Sequence, residues 1–279
     1  MGNEEGIRTC SYDLGGRIAF VTGAAGAIGS CICLRLLEAN CRVAATDLPG
    51  PNLDLLVDEL KSKHGTGIAG VSMDVTDPES VSHGVRAIDM TWGGIDIAVI
   101  NAGVAHVSAL RDMDLAAFRG LERVNVEGTL LVLREMARFF EGQGTGGDII
   151  VISTKNVFAP GASFGAYSAT KAAAHQLARV ASIELAPIGV RVNMVAPDAV
   201  FSHGERKSGL WQEVGPERMK ARGLDEAGLE EYYRNRNLLK AKVTADHVAN
   251  AVLFFASRQT PTTGATIPVD GGLPDATPR

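Results

Sequence analysis

The octapeptide Thr22-Gly23-Ala24-Ala25-Gly26-Ala27-Ile28-Gly29 follows a short apolar run at residues 17–22 and opens a helix-like segment at about 27–39. Glycines between a strand and a helix let the backbone turn tightly and approach a pyrophosphate, which the helix N-terminus then stabilises. We therefore expect Gly23, Gly26, Ala27, Ile28 and Gly29 to line a phosphate-binding turn. A turn of small residues that binds nothing is the alternative that this segment alone leaves open.

A carboxylate closes the next strand-like run, at residues 42–47. Asp47 stands 18 residues after Gly29, near the separation of about 20 at which an acidic residue binds the adenosine ribose of a dinucleotide. A carboxylate there accepts hydrogen bonds from the ribose hydroxyls and repels a 2′-phosphate, and no arginine follows in Leu48-Pro49-Gly50. The pattern favours NAD over NADP as cofactor. A strand-end aspartate that caps a helix is the alternative.

Strand-like and helix-like segments alternate along the chain. The strand-like runs lie near residues 17–22, 42–47, 67–72, 95–101, 148–153, 191–196 and 265–269, and the helix-like segments lie at about 27–39, 52–63, 78–91, 112–141, 163–185 and 244–257. This alternation predicts an α/β fold with one doubly wound, Rossmann-type domain over residues 1–279 and a seven-stranded parallel sheet. Residues 1–14 are expected to form a polar tail, and the polar segment 198–240 is predicted to be a substrate lid.

Composition narrows the classes of partner. The chain of 279 residues has 46% apolar and 21% charged residues and a net charge of −5, without a basic stripe, so nucleic acid is not expected as a partner. No apolar run reaches the roughly 18 residues of a membrane span, and the acidic start lacks an apolar leader segment. We expect a cytoplasmic protein without a membrane partner. The four cysteines (10, 31, 33, 41) and six histidines lack metal-site spacing, so no metal is expected.

Tyr167 and Lys171 stand four residues apart in the helix-like segment 163–185. Four residues is one helical turn, so both side chains project from one face. A cation within about 4–6 Å favours the phenolate and lowers a tyrosine's pKa. Such a tyrosine can accept a proton from an alcohol while a hydride leaves the same carbon. A half-exposed helix face is the alternative interpretation of this spacing alone.

Further motifs follow in family-like order. They are Asp74 with Val75, Asn101-Ala102-Gly103, Asn125, the Pro197–Val200 run and Val269-Asp270-Gly271-Gly272. Together with the glycine turn and the Tyr167–Lys171 pair, they resemble the short-chain dehydrogenase/reductase family from about residue 15 to residue 272. Two positions depart from the family's usual pattern, since Ala27 and Asp198 stand where it usually has glycine.

The resemblance implies a role for each matching residue. Tyr167 would exchange the proton, and Lys171 would bind the nicotinamide ribose and lower the pKa of Tyr167. Asn125 would hold a water that links Lys171 to solvent. Thr154, thirteen residues before Tyr167, would orient the substrate oxygen where the family has serine; Ser153 is the alternative, because neighbouring strand side chains face opposite ways. Cofactor contacts are implied for Asp74, Val75, Asn101, Ala102, Gly103, Lys171, Pro197 and Val200.

A closer resemblance concerns the substrate. The runs 154–156, 197–200, 232–236 and 275–279 resemble the dehydrogenase half of bifunctional rhamnulose-phosphate aldolase/dehydrogenase proteins. This resemblance implies oxidation of a sugar, polyol or small hydroxyaldehyde by a homotetramer or homodimer. A dehydrogenase for another secondary alcohol or ketone, and a non-catalytic dinucleotide-binding regulator, are the alternatives.

A rival motif occurs at Gly161-Ala162-Ser163-Phe164-Gly165, which matches the G-x-S-x-G elbow of α/β-hydrolases. Asp198 and either His203 or His247 follow in the chain order of a hydrolase triad. The elbow requires its serine directly after a strand, however, and about ten residues separate Ser163 from the predicted strand end. We therefore do not expect hydrolase chemistry. His106, just past the predicted fourth strand, is a candidate for substrate contact, with an exposed loop residue as the alternative.

Overall fold

Seven parallel strands form one sheet in the computed structural model, which describes residues 12–274 apart from the side chain of Ala221. The strand order is β3-β2-β1-β4-β5-β6-β9. The strands are β1 (Ile18–Thr22), β2 (Arg42–Asp47), β3 (Ile68–Ser72), β4 (Ile97–Ile100), β5 (Gly147–Ile152), β6 (Val190–Pro197) and β9 (Thr266–Val269). The predicted doubly wound parallel sheet is confirmed, with each strand within two residues of its predicted bounds.

The sequence of the central strands explains their position. Every residue of β4 and β5 is buried, as are Ala19 to Thr22 of β1. Strands covered on both faces need continuous apolar runs, which these segments supply. The chain builds outward from β1 to β3, returns to β4 beside β1 and then builds in the opposite direction. This reversal opens a crevice at the carboxyl ends of β1 and β4, where open α/β sheets bind ligands.

Helices cover both faces of the sheet. One face packs against α1 (Ala27–Glu38), α2 (Pro51–His64) and α9 (Ala245–Ala256), and the other against α3 (Pro78–Trp92), α5 (Thr129–Gln143) and α6 (Gly165–Glu184). Fully buried Phe20 and Phe140 are among the largest side chains of the second layer. Burial of such a ring stabilises the fold by roughly 1.5–3 kcal/mol.

The predicted helix over 112–141 is interrupted. It comprises α4 (Leu115–Glu122), a wider π-helical turn (Arg123–Gly128) and α5, with a separate 3₁₀ turn at Leu110–Asp112. The wide turn brings Gly128 against Val75, where an added Cβ would lie 2.9 Å from a Val75 methyl group. Such turns occur most often at functional sites, and this one contains Asn125.

The segment 198–240 forms a small layer over the carboxyl edge of the sheet. It contains a two-stranded hairpin, β7 (Ser202–His203) with β8 (Arg206–Lys207), followed by α7 (Gly209–Arg222) and α8 (Glu226–Arg236). Phe201 and Trp211 stack at 4.4 Å between ring centroids, and Tyr233 packs edge-on against both. These three rings form an aromatic core within the segment. We call the segment 198–240 the lid.

Several expectations concern residues at the chain ends and the thiols. Residues 1–11 of the expected polar tail, including Cys10, lie outside the described residues. Cys31, Cys33 and Cys41 are buried and free, and burial raises the pKa of each thiol. No helix between residues 12 and 274 has the length and apolar content needed to cross a membrane.

Candidate active site

A cavity of about 570 Å³ lies between the carboxyl edge of the sheet and the lid. The ends of β1, β2, β4, β5 and β6 form its floor, and residues of α7 and α8 contribute to its roof. All the residues that the sequence predicts as cofactor contacts line it, as do Thr154, Tyr167 and Lys171. Asn125 and the candidate His106 are the predicted site residues that are not part of the lining.

The glycine turn has two positions that only glycine can occupy. Gly23 has a φ of +64°, and a Cβ there would lie 2.9 Å from the Cα of Ala102. A Cβ at Gly29 would overlap the carbonyl oxygen of Gly23. Gly26, by contrast, has a φ of −74° and open contacts. The departure at Ala27 is tolerated because this residue begins α1 with ordinary helical packing and leaves the two required glycines in place.

Asp47 is held rigidly beside this turn. Its carboxylate accepts hydrogen bonds from the backbone N–H groups of Ala25 (2.9 Å) and Leu48 (2.8 Å), one on each oxygen. A carboxylate oxygen has capacity for a second hydrogen bond. Both oxygens can therefore still accept hydrogen bonds from hydroxyl groups placed in the cavity.

The loop after β4 is fastened to the turn after β1. The Asn101 amide donates to the carbonyls of Thr22 and Gly23, each at 3.0 Å, and the Thr22 hydroxyl accepts from the N–H groups of Asn101 and Ala102. This network fixes two adjacent walls of the cavity relative to each other. After β3, the Asp74 carboxylate accepts hydrogen bonds from both the N–H and the hydroxyl of Thr76 at 2.8 Å. These bonds fix the conformation of the segment that follows the strand.

Tyr167 and Thr154 meet at the floor of the cavity. The phenol lies on the first turn of α6, the threonine follows β5, and the Thr154 hydroxyl interacts with the phenol. Burial raises the pKa of Tyr167 to about 12, while the interaction with Thr154 acts in the opposite direction. Lys171 is not among the causes of this shift, and its expected lowering of the pKa of Tyr167 stays a prediction.

Lys171 reaches back to the end of β5. Its ammonium donates a hydrogen bond of 2.7 Å to the carbonyl of Ile152. Burial lowers the pKa of Lys171 to about 8, because a charged group is poorly solvated in the interior. The side chain is still mostly protonated at neutral pH, so a positive charge is available beside the tyrosine's helix face.

The neighbouring hydroxyls of Ser153 and Thr154 have different partners. Ser153 is hydrogen-bonded at 2.9 Å to Nδ1 of His175, a residue of α6, and not to the Tyr167 phenol. The Thr154 hydroxyl meets Tyr167 and also accepts from the N–H of Asn156 at 3.3 Å. The geometry thus places Thr154, the preferred candidate, at the position from which a substrate oxygen can be oriented.

Asn125 lies outside the cavity lining and holds the loop after β4. Its amide accepts from the N–H of Val104 and donates to the carbonyl of the same residue, both at 2.9 Å, and also donates to the Thr170 hydroxyl at 3.1 Å. A Cβ at Gly103 would lie 3.2 Å from Oδ1 of Asn125 and 3.6 Å from the ammonium of Lys171. The side chain therefore fixes the loop after β4, a contact that differs from the predicted water-holding role.

Comparison with known proteins agrees with this geometry. The profile of the family described as short chain dehydrogenase matches residues 17–213. The chain belongs to this family. Members of the short-chain dehydrogenase family are oxidoreductases that bind nicotinamide dinucleotides.

Three similar proteins illustrate the range within the family. An uncharacterized oxidoreductase, YuxG, of Bacillus subtilis (strain 168) is 36% identical over 94% of this chain, which spans only 38% of that protein's length. The (−)-isopiperitenol/(−)-carveol dehydrogenase of Mentha piperita is 33% identical, over 93% of this chain and 94% of its own. The crystal structure of sorbitol-6-phosphate 2-dehydrogenase from Erwinia amylovora has a TM-score of 0.84 at 30% identity, covering 91% of this chain and 98% of that one.

The residues of the rival hydrolase motif do not assemble in this dehydrogenase. Ser163 is exposed on a loop, with a φ of +68°. Asp198 is paired with an arginine of α8, His203 contacts a serine of α1, and His247 contributes to the N-terminal cap of its own helix, α9. Among residues 12–274, no group of three or more His, Cys, Asp or Glu side chains is placed to hold a metal ion.

The dehydrogenase also has lining residues that sequence reasoning did not identify. Asn156 is buried, and its Oδ1 has no hydrogen-bond partner. Lys155 beside it is buried and donates to the carbonyl of Ala159 at 3.0 Å. From the lid, Trp211 and Arg218 close the cavity. Only the resemblance over 154–156 pointed to the first two, and the charge of the lid pointed loosely to Arg218.

His106, a candidate for substrate contact, lies at the mouth of the cavity. Its Nδ1 is 3.4 Å from the Glu213 carboxylate of α7, and both side chains are partly exposed. The pair connects the loop after β4 to the lid. This geometry assigns His106 a contact with the lid, and it is not itself among the residues that line the cavity.

Proposed function

We propose that the protein is an NAD-dependent oxidoreductase that transfers a hydride between nicotinamide and an alcohol or hemiacetal carbon of a sugar, polyol or small hydroxyaldehyde. The observation that carries this proposal is that Tyr167 and Thr154 lie together in the lining of one cavity whose other end holds the glycine turn and Asp47. A proton-transfer group and a nucleotide cradle within one cavity are what a dehydrogenase requires.

The residues present fit a nicotinamide dinucleotide. Gly23 and Gly29 permit the tight turn of this cradle, because a Cβ at either position would collide with the backbone of Ala102 or Gly23, and the N-terminus of α1 favours a pyrophosphate. Asp47 would bind the adenosine ribose, and its charge would oppose a 2′-phosphate, which supports NAD over NADP. Asp74 and Val75 would line the adenine end, and Pro197 and Val200 the carboxamide end. When bound, the nicotinamide supplies the acceptor or donor of the hydride.

The protein's own residues would manage the proton. In the oxidising direction the phenolate form of Tyr167 would accept the proton of the substrate hydroxyl as the hydride leaves the same carbon, and in the reducing direction the neutral phenol would give that proton back as the hydride returns. Thr154 would orient the reacting oxygen by a hydrogen bond. Lys171, protonated at neutral pH and held at the Ile152 carbonyl, would bind the nicotinamide ribose and supply positive charge that stabilises the phenolate.

An unpartnered amide oxygen in the cavity lining supports a hydroxylated substrate. Buried polar atoms are almost always hydrogen-bonded, yet Oδ1 of Asn156, a residue of the cavity lining, lacks a partner. A second substrate hydroxyl could donate to it. The similar structure named for sorbitol 6-phosphate gives independent support for a sugar or polyol, and the resemblance to the dehydrogenase half of rhamnulose-phosphate aldolase/dehydrogenase proteins remains a hypothesis of the same kind.

Another substrate class has a specific observation in its favour. The Mentha piperita relative is named for cyclic secondary alcohols, and Trp211, Phe164 and Leu210 give the lid side of the cavity apolar surface. A cyclic secondary alcohol or ketone is therefore the second candidate. A non-catalytic dinucleotide-binding regulator is a third, although it gives no physical reason for Tyr167 and Thr154 to meet at the cavity floor.

The oligomeric state and location are also proposals. Leu130 of α5 and Val180 and Ile183 of α6 expose 45%, 41% and 75% of their surface. Pairing of these helices across subunits would bury that surface, which supports a homodimer or homotetramer. We propose a cytoplasmic protein. Light scattering of the purified protein checks the oligomeric state.

A substrate panel tests the proposed function. Formation of reduced nicotinamide is followed by absorbance with NAD or NADP against hexoses, pentoses, polyols, hydroxyaldehydes and cyclic secondary alcohols. We expect turnover with NAD and a hydroxylated open-chain or sugar substrate. Turnover confined to cyclic apolar alcohols would favour the second candidate, and nucleotide binding without turnover on any of them would favour the regulator.

A further inference from the structure

Arg218 is an arginine of the lid that faces the cavity. Its Nη2 donates to the carbonyl of Ala162 at 3.1 Å, and its guanidinium lies 4.5 Å above the centre of the Phe164 ring. Its Nε is buried and has no hydrogen-bond partner. Part of the guanidinium's donor capacity is therefore unused in a side chain that lines the cavity.

The charge of Arg218 is also uncompensated. No carboxylate within the described part of the chain forms an ion pair with it, whereas Arg236, which lines the same cavity, is paired with Asp198 at 2.8 Å. Burial lowers the pKa of Arg218, and the positive charges of Arg222 and Arg236 act in the same direction. A partly buried cation beside two others is unfavourable unless an anion lies near it.

The other charged group on this wall does not fill that role. Glu213 of α7 lines the mouth of the cavity, but 57% of its side chain is exposed and its contact is with His106 at 3.4 Å. Solvent screens a carboxylate at such a position. Within residues 12–274, no carboxylate is therefore paired with the charge of Arg218.

Arg218 lies on the substrate side of the cavity. Phe164 separates it from the reacting group, since its ring contacts the guanidinium on one side and the Tyr167 ring, at 6.2 Å between centroids, on the other. The glycine turn and Asp47 lie at the ends of β1 and β2, whereas the partners of Arg218 belong to the loop before α6. This placement suits a substrate group several atoms away from the reacting carbon.

We propose that Arg218 recognises an anionic group, a phosphate ester or a carboxylate, at the end of the substrate remote from the carbon that Tyr167 serves. A guanidinium binds the oxygens of either group through two parallel hydrogen bonds. The inference rests on the proposed function and narrows its substrate class to anionic sugars, polyols or hydroxyacids. Arg218 would then determine substrate specificity. Asn156 would bind an uncharged hydroxyl of the same substrate.

Matched substrate pairs test this inference. The first pair is sorbitol and sorbitol 6-phosphate, and the second is glucose and glucuronate, so that one arm reports on phosphate and the other on carboxylate. Arg218→Met removes the charge but keeps an apolar stem over Phe164, and Arg218→Lys keeps the charge without the fork. Lys220→Met is the control, because Lys220 is an exposed cation of the same helix.

We expect the wild-type enzyme to prefer the anionic member of at least one pair in kcat/KM. Arg218→Met should reduce that preference about 10- to 100-fold, through a higher KM for the anionic member. The kcat/KM for the neutral member and the Kd for NAD should stay unchanged. Arg218→Lys should keep part of the preference, and Lys220→Met should keep all of it. An equal loss for neutral and anionic members in Arg218→Met would show a purely structural role and overturn the inference.

Two further outcomes separate the inference from the proposed function. Turnover of neutral substrates without any preference for the anionic members would overturn the inference and leave the proposed function standing. If nothing is turned over, calorimetric titration with sorbitol 6-phosphate and glucuronate in the presence of NAD decides instead. Binding weakened at least tenfold by Arg218→Met would support the anion site without the activity, and no binding of either anion, or equal binding by wild type and variant, would overturn it.

Discussion

The ammonium of Lys171 donates a 2.7 Å hydrogen bond to the carbonyl of Ile152, the last residue of β5. Tyr167, one helical turn earlier, meets Thr154 just beyond the same strand. The helix thus delivers both side chains to one strand end without placing them against each other. Burial then acts on them separately, and it lowers the pKa of the amine while it raises that of the phenol.

The first prediction concerns the pH dependence of stability. Burial lowers the pKa of Lys171 from 10.5 to about 8, so between these values the unfolded chain binds more protons than the folded chain. The contribution of Lys171 to the free energy of unfolding should therefore rise with pH in this window, by up to about 3 kcal/mol. Lys171→Met should remove that rise. Urea unfolding of the cofactor-free wild type and variant, below pH 8 and near pH 10, measures the difference.

Tyr167 and the buried thiols of Cys31, Cys33 and Cys41 act in the opposite sense, so the difference between wild type and Lys171→Met, and not the wild-type slope alone, isolates the Lys171 contribution. Burial raises the pKa of Tyr167 from 10.0 to about 12, so above pH 10 the folded chain holds a proton that the unfolded chain loses, and stability falls. An identical slope for wild type and Lys171→Met between pH 8 and 10 would show that the ammonium is not desolvated as the structure indicates.

The second prediction separates the adjacent hydroxyls of Ser153 and Thr154. Thr154→Val should lower kcat/KM about 10- to 100-fold, because it removes the hydrogen bond offered to the reacting oxygen, and Thr154→Ser should retain most of the activity. Ser153→Ala should instead lower the free energy of unfolding by about 1–3 kcal/mol, because it leaves His175 without a buried partner. Steady-state kinetics and urea unfolding of all three variants would distinguish the roles; a larger kinetic defect in Ser153→Ala would reverse the assignment.

The third prediction concerns cofactor choice. Asp47→Ser should reduce the preference for NAD over NADP by about 10- to 100-fold in kcat/KM, because a carboxylate no longer opposes the 2′-phosphate. Asp54→Ser is a matched control, since Asp54 is exposed on α2. Wild-type enzyme that uses both cofactors equally would contradict the role of Asp47.

The fourth prediction concerns the attachment of the lid. Asp198 accepts from Arg236 at 2.8 and 2.9 Å, and its side chain is only 5% exposed. Asp198→Asn leaves a partly buried guanidinium without its counter-charge, so proteolysis within 198–240 should become faster and kcat/KM should fall. Lys207→Met, which breaks an exposed pair with Glu226, should change neither rate measurably. Equal proteolysis of wild type and Asp198→Asn would show that the pair does not hold the lid.

The sheet was predictable because each strand is encoded locally. β4 and β5 are fully buried runs, and such runs stand out from helical periodicity without knowledge of the rest of the chain. Gly23 and Gly29 were identifiable for the same reason, since a close backbone approach permits only glycine. The departure at Ala27 leaves the turn intact because the steric requirement falls on those two glycines.

Features that depend on distant contacts were not predictable. The break in the helix over 112–141 follows from hydrogen bonds between Asn125 and Val104 and from the packing of Gly128 against Val75. The direction of Lys171 depends on the carbonyl of Ile152, nineteen residues earlier. Arg218 looked like any solvated lid charge, because its significance lies in the absence of a carboxylate partner in the described structure.

In the proposed function, Tyr167 moves the proton in an NAD-dependent oxidation. The most direct measurement is the initial rate of reduced-nicotinamide formation by wild type and Tyr167→Phe, with NAD and the substrate that the panel identifies. We expect kcat/KM to fall about 10²- to 10⁴-fold, with unchanged NAD affinity and circular dichroism because the buried ring is retained. Undiminished activity of Tyr167→Phe would contradict the account.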